Sequence, residues 1–243
     1  MKGIVLAGGK GTRLAPLTNT ISKQLLPVYN KPMIYYPLNT LREMGIKDIL
    51  VITSDLVQCS LFREQLKDAS AFGLNVELTV QQSPRGLPDA FILGEKFIGD
   101  SEDVTLILGD NVFITNSPIR AQRNTIYTYK VKDPSQYGVV KLDDNGQIDQ
   151  LIEKPFNFVS DDAVVGLYTF PREAIDIAKQ LKPSKRGEIE IVDLIKELNS
   201  LNKINIQPLD GFWFDCGTPD GLLECANLVK AIEHRTNKII GLA

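Results

Sequence analysis

The chain has one histidine, His234, in 243 residues. A lone imidazole in a polar C-terminal stretch leaves little scope for a histidine-centred triad or metal centre, and His234 reads as a surface residue. The three cysteines, Cys59, Cys216 and Cys225, show no CxxC spacing. That excludes the usual zinc-ribbon and dithiol redox patterns and fits reduced thiols in a cytoplasmic protein. No apolar run approaches the roughly 18 residues of a membrane helix. The N-terminus enters an apolar strand at once, so no secretory leader is expected. A net charge of −3 gives no electrostatic reason to expect nucleic acid as a partner. Repeats, low-complexity segments and linker composition are missing too, so a single domain over residues 1–243 is expected. What remains is an ordinary globular composition, 43% hydrophobic and 23% charged, with length enough for a sizeable core.

The most informative stretch is Leu6-Ala7-Gly8-Gly9-Lys10-Gly11-Thr12-Arg13. It follows the apolar run Gly3-Ile4-Val5-Leu6, which reads as a buried first strand. The glycines let backbone N–H groups come close to a ligand, and a concave row of such groups suits phosphate oxygens. Thr12 adds a hydroxyl and Arg13 a forked cation that pairs well with phosphate. The reading is a nucleotide-phosphate loop at the carboxyl end of the first strand; the bland alternative is a tight strand-to-helix turn. Two better-known loops do not fit. Leu14 stands where the dinucleotide fingerprint needs its third glycine, and Gly11-Thr12-Arg13 is not the Gly-Lys-Ser/Thr ending of a Walker loop.

Through the first half, strand and helix patterns alternate: a helix opened by Pro32, a strand over 48–53, a helix over 56–67, a strand over 76–81, a helix over 89–97 and a strand over 104–108. Repeated βα units imply an α/β fold with a mostly parallel, doubly wound sheet, and such sheets bind ligands at the carboxyl ends of their strands. In the second half, short strands over 125–131, 137–142, 148–153 and 163–170 suggest a small antiparallel extension. Helices over 172–181 and 188–199, a strand over 204–209 and a final helix over 221–233 follow.

Further candidates lie at the ends of apolar runs. Asp110 and Asp215 are placed as magnesium ligands would be, since magnesium usually takes one or two carboxylates plus phosphate oxygens and water; each also suits a turn or helix cap. Lys154, in Glu153-Lys154-Pro155, sits just after a strand, and Lys23 in an irregular stretch; lysines in such places are ordinarily solvated. Gln81 ends its strand, where an amide could read a base edge, although a solvent-exposed glutamine is the simpler expectation.

Taken together, these segments resemble the sugar-phosphate nucleotidyltransferases, most of all their thymidylyl-transferring members. The resemblance rests on Leu6 to Arg13, Ser22-Lys23-Gln24-Leu25-Leu26-Pro27-Val28, Lys31-Pro32-Met33, Leu108-Gly109-Asp110-Asn111, Tyr137-Gly138-Val139-Val140, Glu153-Lys154-Pro155, Gly166-Leu167-Tyr168, Arg186-Gly187-Glu188 and Asp215 with Gly217-Thr218. These run in family order along nearly the whole chain. The resemblance implies a Rossmann-like nucleotide-diphospho-sugar transferase fold. It also implies the magnesium-dependent reaction of dTTP with α-D-glucose 1-phosphate to give dTDP-glucose and pyrophosphate. By position it assigns Leu6, Ala7, Gly8, Gly9, Gly11, Thr12, Arg13, Gln81, Gly86, Leu87 and Asp110 to the nucleotide. It assigns Tyr137, Gly138, Glu153, Lys154, Val164 and Trp213 to the sugar phosphate, Asp110 and Asp215 to Mg2+, and Arg13, Lys23, Asp110, Lys154 and Asp215 to catalysis. A cytoplasmic homo-oligomer, dimer or tetramer, is implied as well.

The chain departs from that pattern around the base-reading turn. Arg85 stands where an acid is usual, and Pro88-Asp89 where relatives carry Ala-Gln. This keeps two neighbouring activities open: uridylyl transfer, and thymidylyl transfer to another sugar 1-phosphate. An inactive sugar-nucleotide-binding regulator is opposed by the presence of every charged site residue, and a nicotinamide oxidoreductase by the glycine spacing. Between Asn111 and Thr125 the chain is shorter than its relatives, so a reduced peripheral helix is expected. The chain ends at Ala243, before the helical region that helps form a regulatory nucleotide site in longer relatives. A short form without strong allosteric inhibition by a dTDP-sugar is therefore expected.

Overall fold

The computed structural model describes residues 1–201 and 204–242; Ala243, on which the short-form expectation rests, lies outside them. In chain order, β1 (Lys2–Ala7) comes first, with Ile4 and Val5 fully buried at its centre. Two short strands, β2 (Pro27–Val28) and β3 (Lys31–Pro32), pair antiparallel. Pro32 therefore lies in a hairpin instead of opening a helix. The next two amides, of Met33 and Ile34, donate to the carbonyls of Leu26 and Gln24, and α1 begins only after them (Tyr35–Glu43). The strands β4 (Asp48–Thr53) and β5 (Asn75–Val80) flank α2 (Leu56–Gln65), whose N-terminus Asp55 caps by accepting from the Gln58 amide at 2.8 Å. The helix expected over 89–97 is divided at Gly94, a poor helix former, into α3 (Asp89–Leu93) and α4 (Glu95–Ile98). Next come β6 (Asp103–Leu108) and β7 (Asn111–Thr115), the latter a strand where the sequence pattern shows only a turn and a shortened periphery. The remainder is β8 (Thr125–Lys130), β9 (Gly138–Leu142), β10 (Ile148–Glu153), β11 (Asp162–Pro171), α5 (Ala174–Gln180), α6 (Ile191–Leu201), β12 (Asn205–Pro208), β13 (Gly211–Asp215) and α7 (Pro219–Thr236).

The chain clusters into two compact units: Met1–Pro84 with Thr105–Ala121 and Asp210–Ala243, and Arg85–Val104 with Gln122–Leu209. In the first, strands run in the order β6-β1-β4-β5. Both β1 and β5 pair parallel with β4, Leu6 opposite Ile52 and Thr53 opposite Val80, so the ends of all three strands face the same way. Parallel strands buried on both faces explain the unbroken Ile/Val/Leu runs. A second, antiparallel pair joins β7 to β13, with Asn111 opposite Asp215. Helix α7 covers it: Cys225 and Val229 pack with Val112, Cys216, Met33 and Tyr36. Thr218 caps α7 by accepting from the Gly221 amide at 3.1 Å, Pro219 opens it, and Asn237 closes it in the left-handed region.

In the second unit β10, β9, β11 and β8 pair antiparallel in that order, as the antiparallel extension foresaw, and β12 adds a parallel edge to β8. Helix α6 buries Ile191, Leu194, Ile195 and Leu198, the stripe legible in the sequence.

Candidate active site

In the first unit the glycine loop leaves β1 where the parallel strands end. Gly9 and Gly11 have φ of 98° and 61°, and Gly11 leads into a single 3-10 turn, Thr12–Leu14, that carries Arg13. Leu6 is half-buried and Ala7 buried, while Thr12 and Arg13 face solvent. Gln81 is buried, 6% exposed, contrary to the simpler expectation. Its amide donates to the Thr53 carbonyl at 2.8 Å, extending the β4–β5 pairing by one residue. Its Oε1 would stand 3.2 Å from a Cβ built on Gly8, so its side chain lies against the glycine loop. Gly9, Lys10, Ser22, Gln58, Gln81 and Pro84 help line a cleft of about 470 Å³, the size of an ordinary small-ligand site.

Lys23 is held by a dense local network. The Ser22 amide donates to Gln58 Oε1 at 2.7 Å, and the Ser22 hydroxyl to Gln24 Oε1 at 2.6 Å. Lys23 opens the turn that follows and donates through Nζ to Asp110 Oδ2, both side chains mostly buried. Asp110 and Asp215 come from the same end of the β7–β13 pair. The Cys216 amide donates to the Asp110 carbonyl at 2.8 Å, and the Gly217 amide to Asp215 Oδ1 at 2.9 Å. Arg13 Nη2 lies 3.2 Å from Asp215 Oδ2. Two carboxylates and two cations thus share one spot, each acid neutralised by a base. Trp213 sits behind them, its Nε1 donating to Asn111 Oδ1 at 2.7 Å. A hydrogen bond with Cys225, then burial, push the nearby Cys216 thiol well above its usual range.

Gly217 shows that the spot is a cradle. A Cβ built there would stand 2.9 Å from each of Arg13 Nη2, Asp110 Oδ2 and Asp215 Oδ1. Among the described residues no cluster of three or more His, Cys, Asp or Glu could hold a metal. Two carboxylates converging on a space with no side chain nonetheless fit a hard divalent cation that draws its other ligands from phosphate and water.

The second unit gathers a different set. Glu153 ends β10 opposite Gly138, and a Cβ on Gly138 would stand 3.1 Å from Glu153 Oε2. Arg186 Nη1 lies 3.2 Å from Glu153 Oε1 and 3.5 Å from Glu190 Oε1, and Ser184 donates to Glu190 Oε1 at 2.7 Å. Burial, then the Glu190 charge, push the Glu153 carboxyl above its usual range, partly countered by Lys154 and Arg186. Lys154 is exposed and held at a φ of 44° by an amide that donates to the Tyr137 carbonyl at 2.9 Å. Val164 is buried on β11, Tyr137 half-buried before β9, and Gly86 and Leu87 half-buried ahead of α3. Arg186 and Glu190 are the participants that sequence reading passed over. Arg186 lay inside a quoted segment, but nothing local marks it as the partner of Glu153.

The nucleotidyl transferase family model matches residues 2–231. The chain belongs to the nucleotidyl transferase family. Among its relatives, the glucose-1-phosphate thymidylyltransferase of Neisseria meningitidis serogroup A is 47% identical over 98% of this chain and 85% of its own. A Bacillus anthracis protein with the provisional name glucose-1-phosphate thymidylyltransferase, crystallised with sucrose, superposes with a TM-score of 0.86 at 33% identity, covering 94% of each chain. A UDP-glucose pyrophosphorylase solved with UDP-glucose gives 0.82 at 26% identity over 95% of this chain and 98% of its own. The acid–base quartet of the first unit suits the handling of phosphate charge that nucleotidyl transfer demands. Among the described residues no helix is long and apolar enough to cross a membrane.

Proposed function

We propose that the chain is a glucose-1-phosphate thymidylyltransferase, converting dTTP and α-D-glucose 1-phosphate to dTDP-glucose and pyrophosphate. The observation that carries this reading is the quartet Arg13, Lys23, Asp110 and Asp215 around the Gly217 cradle, in a chain 47% identical to an enzyme of that name. Asp110 and Asp215 would hold Mg2+, which would supply charge neutralisation to the triphosphate. Both units serve as one catalytic domain over residues 1–243, and the working form is a cytoplasmic homo-oligomer.

The reaction is an in-line displacement. A phosphate oxygen of the sugar phosphate forms a bond to the α-phosphorus of dTTP, and the bond from that phosphorus to the bridging oxygen of pyrophosphate breaks. The nucleophile is already an anion, so no general base is needed and the single histidine is no obstacle. The barrier lies in bringing two polyanions together and in the charge that develops during transfer, both met by fixed cations. Gly8, Gly9, Gly11 and Thr12 present backbone and hydroxyl groups to the triphosphate. Leu6, Ala7, Gln81, Gly86 and Leu87 hold the nucleoside, Gln81 with an amide that can pair with the thymine imide edge. Arg13 and Lys23, paired here with the two carboxylates, are the cations placed to bind the phosphates. Lys154 takes the phosphate of the sugar phosphate, with Arg186 beside it, while Tyr137, Gly138, Glu153, Val164 and Trp213 surround the sugar.

The division of labour is testable. Arg13→Ala should raise KM chiefly for dTTP and Lys154→Ala chiefly for glucose 1-phosphate. Each loses a charge-assisted contact of about 1.5–3 kcal/mol, or about 10- to 150-fold. Equal losses toward both substrates in both variants would refute it. The same pyrophosphate-release assay, run with UTP and with other sugar 1-phosphates, tests the substrate pair, which fails if another pair is preferred.

A further inference from the structure

Two of the residues that depart from the family pattern, Arg85 and Asp89, meet in the structure. Asp89, the first residue of α3, has a side chain only 2% exposed, and Arg85 reaches it through Nη2 from a position that is 57% exposed. A carboxylate this deeply buried needs a charged partner, and here the guanidinium supplies it from outside. The same stretch is bonded to a second segment through its backbone. The Ile189 amide donates to the Arg85 carbonyl at 2.7 Å, and Gly86, at a φ of 115°, lies so close that a Cβ there would stand 2.0 Å from the Ile189 carbonyl oxygen. Only glycine fits that approach. Ile189 belongs to a tight loop that closes on itself: the Gly187 amide donates to Ser184 and the Ser184 amide to Glu188. This loop carries Arg186, the partner of Glu153 and Glu190.

We infer that Arg85 and Asp89 are a positioning pair that fastens the turn at 85–88 to the loop at 184–190. Their ion pair fixes the backbone of Arg85, the carbonyl of Arg85 holds Ile189, and Ile189 holds the loop that aims Arg186. The base-reading turn and the loop that carries Arg186 therefore keep one register. This rests on the thymidylyltransferase reading for its kinetic part only.

The test uses Arg85→Met, Arg85→Lys, Asp89→Asn and the Met/Asn double variant in the full chain. Arg85→Met removes the pair at an exposed position without emptying the interior, so it remains informative if Asp89→Asn folds poorly. Each single variant should raise KM for both dTTP and glucose 1-phosphate by about fivefold, a typical effect of one lost polar contact, with kcat within twofold. Arg85→Lys, which keeps the charge but not the fork, should fall between wild type and Arg85→Met. Sharing one function, the two sites should not be additive, so the double variant should be no worse than the worse single. Hydrogen exchange at the Ile189 amide, read without substrate, should quicken about tenfold in Arg85→Met. Unchanged KM values, fully additive effects or unchanged Ile189 exchange would overturn the inference. If the wild type turns over neither substrate, the functional reading fails, while Ile189 exchange still decides whether the pair fastens the loop.

Discussion

Asp110→Asn and Asp215→Asn should each lower turnover about 100-fold or more at saturating substrates and divalent metal, the scale of removing one preorganised electrostatic contact from a transition state. Each change keeps the shape and deletes one negative charge from the Gly217 cradle, where the two carboxylates converge. Their effects on stability should differ. Asp110 is the partner of Lys23, and both side chains are mostly buried, 10% and 14% exposed. Asp110→Asn should therefore cost about 1–3 kcal/mol, less than a fully broken buried pair because the amide oxygen still accepts from Lys23. Asp215 pairs with Arg13, which is 54% exposed and can turn to solvent, so Asp215→Asn should leave Tm nearly unchanged. Steady-state turnover and thermal unfolding measured on the same preparations separate the two effects. Near-normal turnover in either variant would remove that residue from the metal site.

Gly217→Ala should be almost as damaging without touching a charge. The added methyl would stand 2.9 Å from Arg13 Nη2, Asp110 Oδ2 and Asp215 Oδ1, so it fills the space between the acids. Arg13 can swing away, being the far end of an exposed side chain, but Asp215 is tied by the Gly217 amide at 2.9 Å and Asp110 by Lys23. Crowding of this kind costs about 1–3 kcal/mol in a packed site, and here it falls on the metal ligands. The expected result is a rise in the metal concentration needed for half-maximal activity and a turnover reduced about 30-fold or more, with a circular dichroism spectrum like that of the wild type. Metal dependence and turnover both equal to wild type would show that the space beside Gly217 is not part of the site.

The sequence by itself was enough for what depends on neighbours along the chain. Unbroken Ile/Val/Leu runs and the stripe of Ile191, Leu194, Ile195 and Leu198 gave most strands and helices, since burial periodicity is a local signal. The loop after β1 was legible as a loop because glycines clustered at a strand end break the strand, with φ of 98° and 61° at Gly9 and Gly11. Asp110 and Asp215 could be singled out because each ends an apolar run, and Lys154 because it follows a strand, whereas Glu153 came only from the resemblance. Where local signals compete, the reading failed. Pro32 can open a helix or sit in an edge pairing, and the hydrogen bonds of Met33 and Ile34 to the preceding segment chose the second. Gln81 is polar, yet one more backbone bond to Thr53 carried it into the interior. Only the tertiary structure decided which ends meet. The antiparallel pairing of β7 with β13 sets Asn111 against Asp215 and so brings two distant acids to one cradle, while the loop at 184–190 folds back to lay Arg186 on Glu153. Those contacts join segments far apart in sequence, and they are selected by strand pairing and by the need of buried charges for partners, neither of which leaves a periodic mark on the residues in between.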